Sequence, residues 1–225
     1  MKVFLAGGES WCSYFINAKV KYILASFAYL KQKVFEKLVC EDFLLDSGAF
    51  TFLSNKEIQM DWKKYVQKYA AFIRANNIKQ FFELDIYSII GVRETENLRR
   101  RLEDLAGRAS IPVWHRSLGL EYLQKLSESY GFIGFGGFAL KDIKPEEYKF
   151  IPQLLKISAS NNCRVHGLGF THQDALKVCK FYSVDSMSWN GERFGKIYHF
   201  RNQRLEHIRI PNRRAKKGVN VHNLQ

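Results

Sequence analysis

Short apolar runs that stop abruptly at a carboxylate, a glycine or an imidazole constrain this chain more than any other feature. The first clear case is Phe43-Leu44-Leu45-Asp46-Ser47-Gly48-Ala49-Phe50. The pattern returns at Leu84-Asp85 after QFFE, at Trp114-His115 after IPV, at Gly136-Gly137 after FIGF, and at Val184-Asp185 within YSVDSMSW. Runs that are apolar on consecutive residues suit strands covered on both faces, as in parallel sheets. Eight such runs can be read: Val3–Gly7, Tyr22–Phe27, Phe43–Gly48, Gln80–Ile86, Ile111–Arg116, Phe132–Gly137, Arg164–Phe170 and Ser183–Trp189.

Stretches of helical length separate most of them. Asp61–Asn76 places Trp62, Tyr65, Val66, Tyr69, Ala70, Phe72 and Ile73 on one stripe, with Asp61 as a natural N-cap. Arg93–Arg108 is polar, with Leu98, Leu102 and Leu105 as a thin seam, and its run Arg99–Arg101 reads as a solvated outer face. Leu120–Tyr130, Pro145–Asn161 and His172–Tyr182 complete the series, with Pro145 suited to a first helical turn. Strands alternating with helices predict an α/β fold, a compact (β/α)8 TIM-like barrel over residues 1–190. An open doubly wound sheet is the alternative. The polar residues favour the barrel, because they end strand after strand rather than clustering at one switch point.

Residues 191–225 read differently, as a basic C-terminal extension packed on or flanking the barrel. Arg193, Lys196, Arg201, Arg204, Arg209, Arg213, Arg214, Lys216 and Lys217 face only Glu192 and Glu206 there. The whole chain has a formal net charge of +13, which favours a polyanionic partner. Arg193, Lys196, Arg201, Arg204, Arg213 and Arg214 are the candidate nucleic-acid contacts. The four cysteines, Cys12, Cys40, Cys163 and Cys179, form no CxxC pair, which argues against a zinc ribbon or a disulfide scaffold and fits reduced thiols in a cytoplasm. The start MKVFLAGGES is too short in apolar residues for a signal peptide, and no stretch reaches membrane-span length. The expectation is a cytoplasmic protein with no membrane, metal or cofactor requirement.

Asp46, Asp85 and Asp185 carry the chemistry in this reading. A carboxylate at a buried strand end needs donors or a cation, otherwise its pKa rises. Two carboxylates in one pocket can divide the labour between an ionised nucleophile and a proton carrier. Gly136-Gly137 and the later His166-Gly167-Leu168-Gly169 leave backbone free to approach a flat ligand. His115 ends a strand, either as a donor to a ligand or as a satisfied core residue.

Asp46-Ser47-Gly48-Ala49-Phe50 resembles the D-S-G-G-aromatic motif of the tRNA-guanine transglycosylases, the queuine and archaeosine tRNA-ribosyltransferases. Glu83-Leu84-Asp85, Gly134–Ala139, Val165–Phe170 and Ser183–Ser186 are similar to that family's other motifs in the same order. The small size and the variants DSGAF, ELD, PVWH and VDSMSW look most like the phage, DpdA-like DNA-guanine transglycosylases. The last 45 residues contain no cysteine, so the zinc site of the tRNA enzymes is absent and DNA is the preferred partner, with tRNA as the alternative. The resemblance implies exchange of guanine for a free 7-deazaguanine co-substrate through a covalent aspartyl-sugar intermediate, with a phage or host partner protein and, for a phage protein, the host cytoplasm as its place. It implies Asp185 as nucleophile and Asp46 as proton carrier. It further implies Asp85, Ser47, Phe50, Gly136, Gly137, Gly169 and His115 as the base-binding set. Ala49 and Thr51 depart from the family pattern, and a register shifted by three would put Ser188 at the nucleophile position.

Two further readings come from other classes. One is a catalytically silent barrel that binds nucleic acid. The other is an unrelated barrel enzyme, such as a glycosidase using Asp46 and Asp185 as its carboxylate pair.

Overall fold

The computed structural model describes residues 1–49, 51, 60–138, 142–187, 196–201 and 204–209. The chain divides into two units, Met1–Ser186 and Met187–Gln225, slightly earlier than the expected break at residue 190.

The first unit is an α/β fold on a parallel sheet. Its strands are β1 (Lys2–Ala6), β2 (Tyr22–Ser26), β3 (Asp42–Asp46), β4 (Val113–Trp114), β5 (Phe132–Phe135), β6 (Arg164–Gly167) and β7 (Ser183–Ser186). They lie in the order β3-β2-β1-β7-β6-β5-β4. Every pairing is parallel, as the continuous apolar runs imply. The strand expected over Gln80–Ile86 exists only as isolated bridges, Leu45 with Phe81 on one side and Phe82 with Ile111 on the other. These link edge strand β3 to the residues that lead into edge strand β4. The ladder stops early there because the Glu83 carboxylate, rather than a backbone carbonyl, accepts the Val113 N–H at 2.6 Å.

Side chains alternate across a strand, so the sheet has two faces with different contents. Phe4, Ala6, Leu24, Leu44, Phe82, Val113 and Phe132 form one cluster on the inner face. Leu45, Phe81 and Ala25 turn the other way onto the helices Trp62–Ala75 and Val92–Ala106. Trp114, Ile133, Phe135, Val165 and Val184 form a second outer layer with Leu123, Leu126 and Ile151. By the same alternation Asp46 follows Leu44 inwards, His115 follows Val113, and Asp185 lies on the face of its register partner Phe4.

Most helices follow the sequence, with instructive departures; the one expected over His172–Tyr182 runs only over Gln173–Val178 and ends at extended Cys179. Asp61 caps Trp62–Ala75, its carboxylate accepting the Lys64 N–H at 3.0 Å. Val92–Ala106 ends at Gly107, whose φ of 71° is left-handed. Within it Arg99 is not solvated as expected: it is buried and pairs with buried Glu83 at 3.3 Å. Arg100 and Arg101 remain exposed. The expected helix Pro145–Asn161 is split into a 3-10 turn, Pro145–Phe150, and an α-helix, Ile151–Ser160. Pro152 cannot donate to the Tyr148 carbonyl one turn earlier, so the helix cannot run through. The Cys179 thiol covers that carbonyl at 3.8 Å.

The second unit contains an antiparallel hairpin, Lys196–Arg201 with Arg204–Arg209, in register from Lys196 opposite Arg209 to Arg201 opposite Arg204. Among the described residues no helix is long and apolar enough to cross a membrane.

Candidate active site

The C-terminal ends of the parallel strands bring charged and polar groups to one end of the sheet, where such folds place their chemistry. Asp46 closes β3, and the backbone N–H of Gly48 donates to its carboxylate at 2.9 Å. Gly48 has a φ of 83°, and a Cβ there would stand 2.5 Å from the Ala28 methyl, so this tight turn requires glycine. Burial above all pushes the Asp46 carboxyl up to about 6, the Gly48 N–H draws it back, and the charges of Asp185 and Asp85 raise it further. Three carboxylates from separate strand ends therefore share one field.

Asp185 sits in a contrasting environment. It accepts the Gly169 backbone N–H at 2.7 Å, and His166 Nε2 lies 3.1 Å away, both on the same oxygen, Oδ1. Gly169 has a φ of 67°, which turns its N–H towards the carboxylate.

The third group is centred on His115, whose Nε2 lies 2.8 Å from Asp85. Burial alone would lower the imidazole, but Asp85, then Asp142 and Glu83, raise it above its ordinary value. Nδ1 is buried without a hydrogen bond among the described residues, and its nearest carboxylate oxygen, on Asp142, is 3.8 Å away. The Tyr87 ring lies against the imidazole, with 4.9 Å between centroids. Ser47 is buried too, and its hydroxyl has no hydrogen bond among the described residues. Two unmatched polar atoms at one sheet end suit a site completed by a ligand.

The glycine pair differs from its expected role. The Gly136 N–H donates to the Trp114 carbonyl at 2.9 Å, so it is not free for a ligand. A Cβ on Gly136 would stand 2.5 Å from His115 Cε1, and one on Gly137 2.8 Å from the Asp142 Cβ. The pair makes room for His115 and Asp142. Phe50, Ser188, Arg193, Arg213 and Arg214 lie outside the described residues. Lys196, Arg201 and Arg204 lie on the hairpin, where the backbone alone is described.

The structure adds residues that sequence reasoning missed. Glu9 follows β1 in the stretch Gly7-Gly8-Glu9 and accepts the Ser26 N–H at the end of β2, at 3.1 Å. Its signal was visible, since an apolar run ending in glycines and a carboxylate is the same pattern. Asp142 has no such signal, because its position depends on the turn closed by its N–H to the Gly137 carbonyl at 2.9 Å. Among the described residues no group of His, Cys, Asp or Glu is placed to hold a metal ion.

No family model matches the chain. No curated protein matches it either. Solved structures do match in fold. A chain of the tryptophan synthase α2β2 complex from Pyrococcus furiosus is 12% identical with a TM-score of 0.50, over 82% of this chain and 86% of that one. A mutant tryptophan synthase alpha-subunit from the same organism is 13% identical with a TM-score of 0.45, over 82% and 85% of the two chains. The expected exchange of guanine in DNA, with its alternatives on tRNA or as a silent nucleic-acid-binding barrel, is corrected here: the matched fold is that of a tryptophan synthase chain, and the Gly136 N–H expected to meet a base carbonyl is already bonded. What stands is an α/β chain whose parallel sheet resembles a TIM-type barrel.

Proposed function

We propose that the Met1–Ser186 unit is a glycosidase-type enzyme that cleaves an O-glycosidic bond with two carboxylates, Asp185 as nucleophile and Asp46 as proton carrier. One observation carries the reading. Burial and the Asp185 charge raise the Asp46 carboxyl to about 6, so it gives up its proton later than an ordinary aspartate, while Asp185 receives two donors of its own. Two carboxylates in such different surroundings suit a divided acid and nucleophile. The fold shared with a tryptophan synthase chain supports a barrel-type scaffold and leaves the substrate open.

In the first step an Asp185 oxygen forms a bond to the anomeric carbon while the bond from that carbon to the leaving oxygen breaks. The leaving atom keeps the electron pair and takes the Asp46 proton. In the second step a water or hydroxyl acceptor gives its proton to Asp46 and attacks the same carbon, releasing Asp185. Asp85, held by His115, is the group assigned to bind the leaving or accepting group.

The test is a panel of 2-deoxy-2-fluoroglycosyl fluorides, pentosyl and hexosyl, followed by peptide mapping. Fluoride needs little acid help, so Asp46→Asn should still be labelled on Asp185 and Asp185→Asn should not. Labelling on another residue, or none across the panel, refutes the assignment.

A further inference from the structure

Behind Asp185 lies a chain of groups that the proposed reaction does not use. Ser183 and His166 are register partners on β7 and β6. The Ser183 hydroxyl is 2.8 Å from His166 Nδ1, and His166 Nε2 is 3.1 Å from Asp185 Oδ1. His166 and Ser183 are both fully buried. The imidazole is wedged between Phe4, 6.0 Å away and edge-on, and Phe82, 5.3 Å away and also edge-on. A histidine sealed among aromatic rings cannot move to meet a substrate. It can only act through what it touches.

The direction of the chain follows from the chemistry of its ends. An ionised carboxylate only accepts, so the hydrogen between His166 and Asp185 belongs to Nε2. Nδ1 is then left to accept, and the Ser183 hydroxyl is the donor beside it. Gly169 N–H falls on the same Oδ1 at 2.7 Å, and no described residue donates to Oδ2.

Building on the nucleophile role given to Asp185, we infer that Ser183 and His166 are positioning residues. They fix one imidazole tautomer, hold Asp185 by Oδ1, and present Oδ2 as the oxygen that forms the bond to carbon. The closing covalent bond is then made by the oxygen to which no described residue donates, while the developing ester keeps two donors on its carbonyl oxygen. When the sugar leaves, the same donors stabilise the returning carboxylate. A hydroxyl–imidazole–carboxylate chain thus sets the aim of the nucleophile without touching the substrate.

The experiment reads the tautomer and the reaction separately. Nitrogen-15 NMR of His166 in the intact protein should show Nε2 bearing the hydrogen and Nδ1 bare. Ser183→Ala should mix the tautomers and slow labelling by the fluoroglycosyl fluoride about tenfold at unchanged probe affinity, the low end for lost orienting partners. Ser183→Thr, which keeps the hydroxyl, should restore both. A hydrogen on Nδ1 in the native protein, or a Ser183→Ala protein with tautomer and labelling rate unchanged, overturns the inference. Failure of every variant to be labelled, with the tautomer behaving as described, would instead count against glycosyl transfer, and the Asp185 carboxylate carbon shift in Ser183→Ala then decides positioning. His166→Phe is a poor test because it removes a buried donor and can unfold the chain.

Discussion

The His115 ring fills the space that a side chain on Gly136 would need, with Cε1 2.5 Å and Nε2 2.6 Å from the position of the missing Cβ. The same Nε2 is held by Asp85 at 2.8 Å. Glycine at 136 is therefore a packing requirement for the site, and a bare backbone is its consequence.

Gly136→Ala is expected to push His115 off Asp85. Overpacking of this kind costs about 1–3 kcal/mol. The loss should appear in chemical denaturation, together with a fall in the His115 pKa, because the carboxylate that raises it is further away. An alanine variant with native stability and an unchanged imidazole titration contradicts this account of the pair.

The Asp46 carboxyl makes the protein's stability depend on pH in a definite direction. Its ordinary value is 3.8 and its folded value is about 6. Between these the folded state binds the proton more tightly than the unfolded chain, so stability falls as pH rises through that window. Above about 6 the whole penalty is present, and below 3.8 it is absent. Asp46→Asn should therefore melt higher than the native protein at pH 7 and equally at pH 3.5, measured by thermal unfolding. The same variant should lose turnover of substrates whose leaving group needs a proton. Native turnover of those substrates should fall about tenfold per pH unit above the Asp46 pKa.

Arg99 shows where charge patterning misleads. Removing one partner of a buried pair costs up to about 3–5 kcal/mol, and less where the partner left behind can take a proton, as Glu83 can because burial pushes its carboxyl up to about 8. Arg99→Ala should lose stability on that scale, since Glu83 and Arg99 are both almost fully buried. Exposed Arg100 and Arg101 should change stability by no more than about 0.5 kcal/mol when replaced by alanine. Equal effects at all three positions would return Arg99 to the solvated face.

The strand ends were the legible part of this chain. Leu44-Leu45-Asp46 and Val184-Asp185 announce an inward carboxylate because a strand alternates and a polar residue after an apolar run must sit at its edge. Asp61 announced its helix for an equally local reason. Arg99 did not announce its burial, since three consecutive arginines look alike in sequence and the one chosen depends on Glu83, sixteen residues away in the chain. The strand over 80–86 read as apolar, but a carboxylate took over its ladder at Val113. Gly136-Gly137 read as a cradle because a sequence shows the missing side chain and not the neighbour that uses the space. His166 was visible only as part of a glycine-rich run. Its contacts to Ser183 and Asp185 come from pairing two strands that are distant in sequence. Function was the least legible, because motifs in the right order carried an expectation that the structural comparison did not support.

The central claim is that Asp46 and Asp185 share one field, in which burial and the Asp185 charge together raise the Asp46 carboxyl. Carbon-13 NMR titration of the Asp46 carboxyl, in the native protein and in Asp185→Asn, tests it most directly. The account requires a midpoint near 6 in the native protein and a lower one once the Asp185 charge is removed. A native midpoint near the ordinary 3.8, or one that does not move in Asp185→Asn, contradicts it.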